Sequence, residues 1–194
     1  MINNLSRVLA FKLYNHKVIN KDDIDLLSYS FFLIFSYVIY AFICLSCGLI
    51  FHCVLESIIF YFFFSLLRMF TGGFHASTPK KCKYYSVIWT MAGLILVRFH
   101  WTNQLITECV LLISWLVLMV ISPVESRNRR LNIREKKIFG LRARVIATAE
   151  SAVAVILMLL HLYSFGYALA VAVFMCALMG ILGMWSEKRG KTDR

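Results

Sequence analysis

Apolar residues run along this chain in long stretches separated by short polar segments. The first stretch, Ser28 to Phe70, continues for 43 residues and is interrupted only by His52, Glu56 and Arg68. A membrane-spanning helix needs about 20 apolar residues, so the pattern predicts two spans with a tight turn near Cys47-Gly48 to His52. Further apolar segments follow at 84–97, at 105–122 (ended by Pro123), at 145–163 and, after a turn at Ser164-Phe165-Gly166, at 167–185. Ahead of them, Ile2, Leu5, Val8, Leu9 and Leu13 recur at helical spacing beside polar Arg7, Asn15 and Lys17. That pattern predicts an amphipathic helix over 2–19, lying in the headgroup region or packed as a surface helix, with a polar hinge or helix start at Lys21–Asp25. The whole reads as an all-α, polytopic integral-membrane bundle. It has about six hydrophobic segments, an N-terminal amphipathic helix and a single membrane domain over 1–194.

Composition agrees. Hydrophobic residues make up 60% of the 194 and charged residues 16%, where a soluble domain carries nearer a quarter charged. The net charge of +11 points to anionic lipid and not nucleic acid, because the basic residues are scattered in short segments between spans. With six spans, 20 of the 21 Lys and Arg residues fall on one side of the membrane and only Arg98 on the other. The positive-inside rule makes the first side cytoplasmic. It holds both termini with the tail at 186–194, a loop over 68–83 and a basic loop over 124–144. The opening residues lack the charged n-region and cleavage site of a signal peptide. The six cysteines, at 44, 47, 53, 82, 109 and 176, do not form a disulfide pattern. Cys44-Leu-Ser-Cys47 reads as packing, and no Cys/His spacing suits a metal. No cofactor is implied.

One stretch differs from the rest: Arg68-Met-Phe-Thr-Gly-Gly-Phe-His-Ala-Ser-Thr-Pro-Lys-Lys-Cys82. Gly72 and Gly73 permit backbone conformations and close approaches closed to other residues. His75 and Cys82 are residue types that serve as base and nucleophile in cysteine hydrolases. On one unbroken helix they would lie about 10.5 Å apart, too far for a proton transfer that needs about 3 Å. The chain must therefore fold back between them, and Ser77-Thr78-Pro79 is the place for it. Lys80, Lys81 and Lys83 surround Cys82, and such charge favours a thiolate. On chemistry alone, packing and catalysis stand about equal for this pair.

Arg-X-X-X-Gly-Gly-X-His-Ala followed by Cys seven residues after the His resembles the accessory gene regulator B (AgrB) family. The resemblance implies a bacterial membrane cysteine endopeptidase that processes the propeptide of a cyclic quorum-sensing autoinducer. It places His75 and Cys82 at the catalytic pair, with Arg68, Gly72 and Gly73 at motif positions suited to oxyanion stabilisation or loop shaping. It also implies an AgrD-like propeptide as substrate, closure of a thiolactone or lactone ring, and a homodimer.

Other candidates lie in Pro123-Val-Glu-Ser-Arg-Asn128-Arg-Arg. Glu125 or Asn128 is placed to orient the His75 imidazole, or is a solvated loop residue beside a dyad with no third member. Arg129, Arg130, Lys136 and Lys137 cluster more tightly than orientation requires and suit docking of an acidic peptide segment. Glu56, Glu108 and Glu150 lie in or near apolar spans, where acids are costly. Glu150 is expected to pair with Arg142 or Arg144. These acids support the rival readings of a small transporter or a non-catalytic scaffold.

Overall fold

A computed structural model of the protein describes residues 2–16, 18, 20–73, 79–99, 103–125 and 132–192. The side chains of 2–4, 21, 79–83 and 187–192 are outside that description. Among the described residues the elements are α1 (Ile2–Asn15), a 3-10 turn (Lys21–Asp23), α2 (Ile24–Ile50), α3 (Val54–Thr71), α4 (Pro79–Phe99), α5 (Gln104–Ile121), α6 (Ile133–Leu159) and α7 (Tyr163–Thr192). The fold is an all-helical polytopic membrane bundle. Four helices are long and apolar enough to cross a membrane: Ile24–Ile50, Val54–Thr71, Gln104–Ile121 and Tyr163–Ser186. A shorter apolar stretch, Tyr84–Phe99, lies in α4. The chain divides into two compact units, Met1–Ile43 and Cys44–Arg194, with the boundary inside α2.

In the first unit, α1 turns its small residues inward. Ser6 and Ala10 are buried, while Leu5, Val8 and Phe11 are exposed beside Arg7 and Lys12. An outward row of apolar and basic residues is the surface a headgroup-level helix presents. Along α2, Tyr29, Ile34, Val38 and Phe42 are exposed, as expected of a lipid-facing span. Ser30 and Ser36 return their hydroxyls to the carbonyls of Leu26 and Phe32, at 2.9 and 2.8 Å. No polar group of either serine is then left bare in hydrocarbon.

The second unit is built around α7. Its span is 72% buried, against 17–28% in the other three candidate spans. Gly166, Ala168, Ala170, Ala172, Ala177 and Gly180 keep it thin, so neighbouring backbones can approach closely. Helices α3, α4, α5 and α6 all pack on it. α3 presents Phe60, Phe64, Leu67 and Thr71, one stripe at helical spacing. α5 presents Thr107, Leu111, Ser114 and Leu118 in the same way. α6 presents Gly140, Ala143, Ala147, Glu150, Ala154 and Met158. Trp89 donates its indole N–H to the Met175 carbonyl at 3.3 Å, and the Cys176 thiol reaches the Phe64 carbonyl at 3.6 Å. Cys44, half of the Cys-Leu-Ser-Cys pair, is buried and donates to the Ser57 carbonyl at 3.1 Å.

Several boundaries differ from the sequence expectation. The 124–144 segment is helical from Ile133, because Asn132 and Glu135 form a capping box there. The loop expected over 68–83 is shorter at both ends. α3 continues to Thr71, and Pro79 opens α4, the first-turn position where its missing N–H costs nothing. The turn after α6 is at Leu160–Leu162 and not at Ser164–Gly166. Gly166 lies inside α7, where an added Cβ would come within 2.8 Å of the Ala154 carbonyl oxygen. The tail is helical to Thr192.

The contact of α3 with α4 gives a direct test of this packing. A Cβ at Gly93 would overlap the Phe60 ring. That ring is fully buried and stacked on Phe64 at 5.6 Å, so it has nowhere to move. Gly93→Val should destabilise the bundle by roughly 1–3 kcal/mol, measured by denaturant titration in detergent. Adding Phe60→Leu should return part of that loss.

Candidate functional site

The end of α3 delivers the motif. Arg68 is half-buried in its last turn. The helix stops at Gly72, with φ 68° and ψ −147°, a backbone region that essentially only glycine occupies. Gly73 follows at φ 125°. The two glycines also serve close contacts. Gly72 forms an isolated parallel bridge with Val124, and the Val124 N–H donates to the Thr71 carbonyl at 2.8 Å. A Cβ on Gly72 would overlap the Val124 carbonyl oxygen. A Cβ on Gly73 would come within 2.6 Å of an Arg68 guanidinium nitrogen and 3.0 Å of the Met179 carbonyl oxygen. The motif backbone therefore lies directly on Arg68, on α7 and on the linker that follows α5.

This linker is the second part of the site. It runs from Ser122 through Glu125 and is pressed against α6 and α7. Gly140 leaves room for Pro123, and Gly180 leaves room for Ile121 and Val124. Glu125, one residue beyond the bridge, pairs with Lys136 at 3.5 Å. The hydroxyls of Thr71 and Ser122, on either side of the bridge, are buried without a hydrogen-bond partner among the described residues. Beside the linker a cavity of about 700 Å³ opens between Val120–Glu125 and the first turns of α6, with Lys136, Lys137, Gly140 and Arg144 on its wall.

Of the sequence candidates, Arg68, Gly72, Gly73 and Glu125 are thus brought to one end of the bundle. Lys136 and Lys137 stand on the exposed face of α6 nearby. The backbone of Cys82 is in the first turn of α4. His75, Asn128, Arg129, Arg130 and the side chain of Cys82 lie outside the described residues. Glu150 does not pair with Arg142 or Arg144. Arg144 donates its Nε to the Met119 carbonyl at 3.1 Å, and Arg142 lies over the Phe70 ring, 5.9 Å from its centre. Glu150 is only 3% exposed, and neither of its oxygens has a hydrogen-bond partner among the described residues. Glu108 accepts from Gln104 at 2.8 Å within α5. Among the described residues no group of His, Cys, Asp and Glu is arranged to hold a metal.

Sequence reasoning missed the role of Val124. Its contribution is a main-chain N–H and carbonyl, which side-chain identity does not announce. The signal available was the glycine pair, which required some backbone to approach it.

The model of the accessory gene regulator B family, AgrB, matches residues 6–184. The chain belongs to that family. Its relatives include AgrB-like protein 2 of Clostridium perfringens strain 13 (type A), 24% identical over 144 residues, which span 71% of this chain and 67% of the relative. An AgrB-like protein of C. perfringens strain SM101 is 23% identical over the same share of both chains. No solved structure matches the chain significantly. Membership in the AgrB family implies the role of a quorum-sensing membrane peptidase that processes the AgrD propeptide.

The bridge predicts a contrast at this site. Gly72→Ala and Val124→Pro, which lose the glycine conformation and the bridging N–H, should each lower propeptide cleavage in vesicles by roughly tenfold or more. Val124→Ala keeps the N–H and should stay within about threefold of wild type. Equal losses in all three would show that the Val124 side chain, not its backbone, matters.

Proposed function

We propose that this AgrB-family protein cleaves its propeptide with a His75–Cys82 pair and passes the product on as a thioester. The Cys82 thiolate attacks the scissile carbonyl, and His75 accepts the thiol proton and returns it to the leaving amine. The acyl group remains on Cys82 as a thioester. A Cys or Ser of the same peptide then attacks it, the C–S bond to the enzyme breaks, and the ring closes as a thiolactone or lactone. The thiol form of this exchange is nearly isoenergetic and needs no nucleotide, provided water is kept away. The observation that carries this reading is the family match across residues 6–184, with His75 and Cys82 standing at the motif positions.

The geometry supports it. The first turn of a helix, together with three flanking lysines, is a setting that favours a thiolate, and Cys82 has that backbone position in α4. Gly72 and Gly73, held over Arg68 by the Val124 bridge, are candidates to stabilise the oxyanion. Glu125 or Asn128 would orient His75. Arg129 and Arg130, with the field of Lys136 and Lys137 beside them, would draw in an acidic segment of the peptide. The positive-inside distribution puts this end of the bundle and both termini in the cytoplasm, where a thiol stays reduced.

Two experiments test the reading. In vesicles with the cognate propeptide, Cys82→Ala and His75→Ala should each abolish cleavage, while Cys109→Ala, at an exposed cysteine of α5, leaves it unchanged. Cleavage that persists in Cys82→Ala rejects the nucleophile. For sidedness, single cysteines at Ser126 and at the exposed His161 turn are compared in a background lacking the six native cysteines. A membrane-impermeant maleimide added outside whole cells should label position 161 and spare 126. The reverse pattern turns the topology over.

A further inference from the structure

The cavity beside the linker carries Glu125, Lys136 and Lys137 on its wall, and its surfaces are of two kinds. Val120, Pro123 and Leu141 make an apolar surface, while Lys136, Lys137 and Arg144 face a single carboxylate, Glu125. Glu125 is taken by Lys136. Arg144 spends its Nε on the Met119 carbonyl. That bond fixes the side chain at the seam of α5 and α6, and its terminal nitrogens make no hydrogen bond or ion pair among the described residues. Lys137 has no ion-pair partner among the described residues.

The apolar wall does not end at the cavity. Val120 is 81% exposed and Leu141 64%. From there the outer seam of α5 and α6 continues past Leu116 and Val145, both exposed, to the hydrogen bond between Trp115 and Thr148. α5 is one of the candidate spans, so this seam faces acyl chains. A cationic pocket thus opens into an apolar track along the bilayer-facing side of the bundle.

We propose that this cavity is a binding site for an anionic phospholipid. Lys137 and Arg144 hold the phosphodiester, and one acyl chain lies along the track between α5 and α6. The shape decides against other anions. Inorganic phosphate would fill the charged end and leave the track bare. A peptide would bring an N–H and a carbonyl at every residue onto a lipid-facing seam that offers neither partner, and the nearest linker N–H, that of Val124, is already bonded to Thr71. Val124 is also a wall of the cavity, so the lipid sits against the bridge that positions the motif. The proposal shares Lys137 with the peptide-docking surface proposed above but does not rest on the His75–Cys82 chemistry.

The test is native mass spectrometry of the full chain in nonionic detergent, with phosphatidylglycerol and phosphatidylcholine added at equal concentration. Wild type should retain one phosphatidylglycerol in preference to phosphatidylcholine. Lys137→Gln/Arg144→Gln should lower that retention by roughly tenfold or more, and Lys188→Gln/Arg189→Gln in the tail should not. Val145→Asn touches no cation and blocks the chain's path; it should also weaken retention, which covers a double variant that folds poorly. Equal retention of the two lipids by wild type overturns the site. So does a tail variant that loses as much as the cavity variant.

Discussion

Everything in the second unit depends on how closely helices can approach α7. In hydrocarbon, burying an apolar side chain against another helix gains little over burying it in lipid, so contact distance and packing decide association. α7 meets that condition with alanines and glycines along its buried span. α6 answers with Gly140, Ala143, Ala147 and Ala154, and larger residues such as Phe60 and Leu67 come from α3. The site inherits its geometry from this arrangement. Gly73 lies against the Met179 carbonyl, and Val124 lies over Gly180. Thickening α7 at these points would move the motif as well as loosen the bundle.

Much of this was legible in the sequence, for physical reasons that can be named. Hydropathy located the apolar helices because membrane thickness sets their length. The motif was visible because Gly-Gly, His and Cys are conspicuous against a greasy background. The start of α6 was also written there, as Asn132 and Glu135, but eight basic residues around it favoured reading a loop. Charge reports on which side of a membrane a segment lies and says little about whether it is helical. The Ser164-Phe-Gly166 turn failed for a related reason. Glycine marks both turns and close helix contacts, and at Gly166 the contact with Ala154 and Met158 won.

Tertiary partners were the least legible part. An acid one turn beyond a basic segment looks like half of an ion pair, yet Arg142 is occupied by an aromatic ring and Arg144 by a carbonyl. Glu150 is left inside the small-residue face of α6, with no hydrogen-bond partner among the described residues. Pairings of this kind depend on helix rotation, which hydropathy reports only weakly when most faces of a helix are apolar.

The bridge between Gly72 and Val124 joins residues 52 positions apart in the chain, and the helix that both rest on is the last of the seven in chain order. During synthesis the motif therefore leaves the ribosome long before its supports exist. Half-made chains already in the membrane carry Arg68 and the glycine pair without the backbone that packs against them. The geometry at the end of α3 is complete only once α7 is in place.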